Sequence, residues 1–207
     1  MAEGTLQYPG MTLGKEPVAE HDESENLMFG FWFFLMSDAL LFALVFSTYL
    51  LHVHATFGGP GPRALYDMPS VFVETMVLLA SSFTFGMASL TLKYEHGTRR
   101  LFGWLLVTLL LGMAFIGLEV HDFLTMIAIG GFAARNAFLS GFWDLVPLHG
   151  LHVTIACIWL LCLAAQVRRH GLDGWSKLGI RRLALFWHFL DIVWIAIFSI
   201  VYLAGVA

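Results

Sequence analysis

Residues 187–194 read W-H-F-L-D-I-V-W, inside a run, residues 183–204, that is otherwise almost wholly apolar. About 20 such residues, rising about 1.5 Å each, cross the roughly 30 Å of hydrocarbon in a bilayer. His188 and Asp191 therefore sit at membrane depth. Spaced i and i+3, they share one helix face. An unpaired ionisable group on a lipid-facing surface costs at least about 2.5 kcal/mol. That face must look into protein, so this helix belongs to a bundle.

Outward from it, four more runs have spanning length: residues 27–53, 71–92, 101–126 and 138–167. The expected fold is all-α, a polytopic membrane helix bundle with five transmembrane helices built by residues 27–207. Composition agrees, since 58% of residues are hydrophobic and 13% charged, against about 25% charged in soluble domains. Residues 1–26 carry Glu3, Glu16, Glu20, Asp22, Glu23 and Glu25 with Pro9 and Pro17. They read as a flexible acidic cytoplasmic tail rather than a cleaved signal, lacking a basic segment followed by a short apolar one. The net charge of -4 comes largely from this tail, and no nucleic acid is expected as a partner.

The breaks between runs hold turn formers and charge: T-F-G-G-P-G-P-R from Thr56, Y-E-H-G-T-R-R from Tyr94, I-G-G-F-A-A-R-N from Ile129 and R-R-H-G-L-D-G-W-S-K from Arg168. Asp144 and Pro147 put the first residues of the fourth run in the outer interface. Lys15, Lys93, Arg99, Arg100, Arg168, Arg169, Lys177, Arg181 and Arg182 fall on one side of the membrane, and only Arg63 and Arg135 on the other. The positive-inside rule then places the amino terminus in the cytoplasm and the carboxyl terminus outside. Cys157 and Cys162 point in different directions from one apolar helix, as small membrane-buried hydrophobes rather than a disulfide or metal pair. Ser82 and Gly86, with Ala80, Thr84 and Ala88, make a small-residue stripe for close helix packing. Trp104, Trp143, Trp175 and Trp187 lie near predicted boundaries as interfacial anchors.

Depth along the helices sorts the intramembrane ionisable residues into two levels. Asp38, His152, His188 and Asp191 fall in the middle to inner part; Glu74, Glu119 and His149 fall towards the outer face. The expectation is that Glu119 meets His149, while Asp38 and His152 lie nearer to His188 and Asp191. Each level mixes carboxylates with imidazoles on different helices, as pairing in lipid requires. Helix packing is the first reading of such a set, and a proton or lipid role the second. A metal or haem site ranks last: there is no dense histidine cluster and no Glu-x-x-His pair of a di-iron bundle, and His149 with His152 lacks a neighbouring carboxylate in sequence. Neither G-x-S-x-G nor H-E-x-x-H occurs, nor a nucleotide-binding glycine loop.

H-G-L-H-V at residues 149–153 resembles the H-G-x-H-V of subunit III of the haem-copper respiratory oxidases, and residues 187–194 resemble that family's W-H-F-x-D-x-x-W. In the same order, M-S-D-A-L-L-F from Met36 is similar to its S-E-x-x-F-F segment, V-L-L-A-S-S from Val77 to its L-L-A-S-G segment, and G-L-E-V-H-D-F from Gly117 to its E-Y-x-E region. The resemblance covers the chain from Phe29 onward. Mitochondrial-type members have seven helices and a glutamate where Asp38 stands. The shorter, Asp-bearing pattern is similar to the bacterial ubiquinol-oxidase branch of the cytochrome bo type.

That resemblance implies a non-catalytic subunit with no cofactor or metal of its own. It implies docking on subunit I, where haem and copper are expected, with subunit II and a small subunit IV completing the complex and ordered phospholipid between helices. The complex would oxidise ubiquinol, reduce dioxygen to water and pump protons across the bacterial inner membrane. Within the family the alternatives are a cytochrome c oxidase subunit III and a nitric oxide reductase accessory protein. Outside it stands an independent proton-coupled transporter, against which the odd helix count and the lack of internal repeats speak.

Overall fold

A computed structural model describes residues 18–53, 68–94, 97–128, 130 and 137–204. They form five long helices: α1 Val18–His52, α2 Met68–Lys93, α3 Thr98–Ala128, α4 Ala137–His170 and α5 Gly174–Ile197, the last continued by a π-helical turn, Phe198–Leu203. Each of the five holds a stretch long and apolar enough to cross a membrane. The chain is a multi-pass, all-α membrane protein. Residues 1–17, Arg63, Arg135 and Ala207 lie outside the described residues, as do most of the breaks from Thr56 and Ile129.

Helix α2 packs on α3, α3 on α4, α4 on α5 and α5 back on α2, closing a four-helix ring; α1 lies outside it against α4 and α5. The inward stripe of α3 is Leu101, Leu105, Thr108, Gly112, Phe115 and Glu119, alternating in steps of three and four as a helix face must. On α2 the matching stripe runs through Leu78, Ser81, Thr84, Phe85 and Ala88. Lipid is as apolar as leucine, so such helices associate through small residues and hydroxyls that let backbones approach. Thr84 and Thr108 do this directly, their hydroxyls 2.8 Å apart. The predicted stripe is therefore rotated: Ser81, Thr84 and Ala88 make the contact, whereas Gly86 has open space above its Cα.

Trp187 is no interfacial anchor. It is buried, and its indole fills the space above Gly112, where a Cβ would lie 2.8 Å from Cη2. Trp194, two turns further on, is buried in the same way. Two large rings on α5 thus form much of the ring's centre. Cys157 is buried and Cys162 exposed, both free, in line with their different directions.

Helix ends run past the predicted boundaries. α1 begins at Val18, so the last residues of the expected tail are helical. α4 reaches His170 and α5 starts at Gly174, which takes most of the fourth break into helix. The reversal needs little more than Gly171, whose φ of 82° is open to glycine and strained for other residues. Its N–H closes α4 on the carbonyl of Val167 at 3.1 Å. Basic residues there prolong the helices because their stems stay against apolar surface while the charges reach water. Pro147 lies inside α4 and only removes one donor, since neighbouring helices hold the segment.

Candidate functional site

His152 of α4 and Asp38 of α1 meet, Nε2 to Oδ1, at 3.1 Å. Asp38 is buried and His152 nearly so, with the Phe42 ring 5.1 Å from the imidazole. The other nitrogen, Nδ1, lies 2.7 Å from the Leu148 carbonyl, which can only accept, so Nδ1 carries a proton. A neutral ring would then present a bare Nε2 to a bare carboxylate. One further proton must therefore sit between Asp38 and His152, on one or the other. The pair joins α1 to the ring.

On the opposite side of α5, His188 Nδ1 lies 2.9 Å from the Ser82 hydroxyl of α2 and 3.4 Å from Asp191 Oδ2. Asp191 is buried, but the His188 side chain is 45% exposed. The inner level thus separates into two pairs that flank α5. Between them Trp187 Nε1 donates to the Ser81 hydroxyl and Trp194 Nε1 to that of Thr75, each at 3.1 Å. These two bonds tie α5 to α2.

At the other level His149 is fully buried and donates from Nε2 to the Leu190 carbonyl at 3.2 Å. The expected partnership with Glu119 does not form. The Glu119 carboxylate lies instead against the bare Cα of Gly150, where a Cβ would overlap both its oxygens. The reason is geometric: residues 149 and 150 differ by about 100° around the helix, and α5 claims the histidine's face. Glu74, Glu119 and Tyr202 are all buried. Ser70 donates to Asp122 at 2.9 Å. Oε1 of Glu74 and of Glu119 is buried without a hydrogen-bond partner among the described residues. In the π turn, bonds reach back five residues, as from Ala204 to Ser199, and Val201 and Tyr202 are both buried.

Among the described residues no three His, Cys, Asp or Glu side chains gather as a metal site requires. The constellation ties helices together around α4 and α5.

Residues 18–206 match the family model described as cytochrome c oxidase subunit III. The chain belongs to the cytochrome c oxidase subunit III family. It is 48% identical to cytochrome bo(3) ubiquinol oxidase subunit 3 of Pseudomonas aeruginosa, over 89% of this chain and 88% of that one. Against the protein of the same name from Pseudomonas putida the identity is 44%, over 90% and 89%. A cytochrome c oxidase subunit 3 from Bacillus sp. (strain PS3) is 39% identical over 88% of each.

The subunit III motifs now have physical content in this chain. In H-G-L-H-V, His149 bonds α5, Gly150 admits Glu119, His152 pairs with Asp38, and Val153 is core. In W-H-F-L-D-I-V-W the two tryptophans fill the ring, and Leu190 offers its carbonyl to His149. Ser70, Thr75, Ser81 and Asp122 were not legible as partners, nor Tyr202 as a core residue. Serine and threonine are unremarkable in a membrane helix, and the π turn under Tyr202 leaves no mark in the hydropathy.

Proposed function

We propose that this chain is the third, non-catalytic subunit of a proton-pumping terminal oxidase that takes electrons from ubiquinol and reduces dioxygen to water. The observation that carries the reading is the likeness, at 48% and 44% identity over most of both chains, to proteins named as subunit 3 of a bo(3) ubiquinol oxidase. The relative named for cytochrome c is less similar, at 39%. In this reading the chain docks on subunit I, which holds haem and copper, beside subunit II and a small subunit IV. It sits in the bacterial inner membrane with the basic helix ends in the cytoplasm and the carboxyl terminus on the outer side, and ordered phospholipid lines it.

A half-exposed imidazole at membrane depth supports docking. His188 shares its outward face with Ile192 and Ile195, both exposed. Lipid offers no hydrogen bond to the remaining ring nitrogen, whereas a partner helix does. Asp38, His152, His188 and Asp191, with Glu74, Glu119 and His149 at the other level, act as ties and as holders of protons within this subunit. Assaying the purified complex with ubiquinol and with reduced cytochrome c tests the donor. Rapid oxidation of ubiquinol alone is expected; preference for cytochrome c would overturn it.

A further inference from the structure

Two acceptors inside the four-helix ring are left without a donor. Glu74 of α2 and Glu119 of α3 are 2% and 4% exposed, and Oε1 of each is buried with no hydrogen-bond partner among the described residues. Two bonds fix the antiparallel register of these helices: Thr84 with Thr108 at 2.8 Å, and Ser70 with Asp122 at 2.9 Å nearer the other end. One helical turn inward from Ser70 stands Glu74, and one turn inward from Asp122 stands Glu119. The two carboxyl groups therefore share one level on the facing inward stripes of α2 and α3. On the α4 side the Glu119 carboxylate lies against the bare Cα of Gly150.

Among the described residues no Lys or Arg stands at this level. On α2 and α3 they are Lys93, Arg99 and Arg100, and on α4 and α5 they fall within residues 168–182, all at the opposite ends of these helices. The titratable neighbours are His149 on α4, Asp122 on α3 and Tyr202 in the π turn that packs on α2. His149 donates from Nε2 to the Leu190 carbonyl, and its Nδ1 is buried without a partner. A second proton there would create a buried charge with no acceptor, so the imidazole is neutral. Asp122 is a third carboxyl, and Tyr202 brings a phenol and no positive charge.

Two ionised carboxylates facing each other at membrane depth would repel with no counter-charge to offset them. An ionised carboxylate can only accept hydrogen bonds, whereas a protonated one also donates. A single proton on either glutamate thus removes one of the two charges and supplies the donor that both orphaned oxygens lack.

We propose that Glu74 and Glu119 form a proton-binding site, an acid pair that holds one proton in common and through it joins α2 to α3. The inference rests on, and deepens, the reading of these residues as ties and holders of protons, and it does not depend on the electron donor.

The test is infrared spectroscopy of the intact purified complex, comparing the parent with Glu74→Gln, Glu119→Gln and the double variant. Glutamine keeps the side chain's size and brings its own N–H donors, so the glutamate left in either single variant is free to ionise. Each single variant should lose one carboxylic-acid C=O band, equivalent to one carboxyl per complex. The double variant should lose that same band and no more, with haem content and retention of this chain unchanged. No loss in any variant would mean that both groups are ionised and would overturn the proposal. So would two different bands lost from the two single variants, which would mean two separately protonated acids; this comparison decides even where the double variant does not assemble. A sodium or calcium ion held in stoichiometric amount by the parent and released by either substitution would overturn it as well. The donor assay on the same preparations judges the functional reading separately.

Discussion

The imidazole of His152 bridges two helices: Nδ1 lies 2.7 Å from the Leu148 carbonyl of its own helix and Nε2 lies 3.1 Å from the Asp38 carboxylate of α1. α1 has the least buried span of the five, and among the described residues it meets the ring chiefly along α4 and α5. This polar tie accordingly sets where α1 packs.

Asp38→Asn keeps the side chain's size and one acceptor but removes the charge. The initial rate of quinol oxidation should stay nearly normal, because the chain's polar groups act as ties. Association should weaken, by about 1–3 kcal/mol where a buried partner is left unsatisfied. Activity half-life during turnover and retention of this chain on purification measure it. An immediate loss of most activity in a fully assembled complex would contradict the packing role.

Gly150→Ala places a methyl group on the Glu119 carboxylate. Overpacking of this kind costs about 1–3 kcal/mol, seen as a lower yield of assembled subunit and a lower thermal midpoint. Glu119→Ala in the same chain should recover part of the loss, a coupling that a general helix effect of alanine would not give.

Trp187→Phe keeps most of the ring but loses the donor to Ser81. A double-mutant cycle with Ser81→Ala should return a coupling of about 0.6 kcal/mol, and no more than about 1.7, the range for hydrogen bonds between membrane helices. A coupling indistinguishable from zero would mean that packing above Gly112 alone holds the indole.

The fold was largely legible because a spanning helix announces itself by length and apolarity, whatever it packs against. The number of spans and the burial of Asp38, Glu74, Glu119, His149 and Asp191 followed from that physics. Pairings were less legible. Depth along a helix is a one-dimensional estimate, and whether His149 meets Glu119 or the Leu190 carbonyl depends on rotation about the axis. Interfacial tryptophan is a statistical rule as well, and Trp187 departs from it because Gly112 on another helix makes room. That glycine is distant in sequence, and nothing near Trp187 announces it.

For topology, the basic residues at one end of α2, α3, α4 and α5 predict that a reporter fused after Ala207 works only on the outer side. Single cysteines at Arg100 and at His121, labelled by an impermeant reagent in intact cells, check it independently. His121 should react and Arg100 should not.

The central claim is that this chain is an accessory subunit of a quinol-oxidising haem-copper complex, held by polar ties and carrying no reaction centre. The most direct measurement is native purification through a tag on this chain, followed by an absorption spectrum and identification of the accompanying polypeptides. The account predicts haem-bearing oxidase subunits in stoichiometric amount and ubiquinol oxidase activity in the same fraction. A stable chain purified alone, without haem-bearing partners and with proton-coupled transport of its own in vesicles, would contradict it.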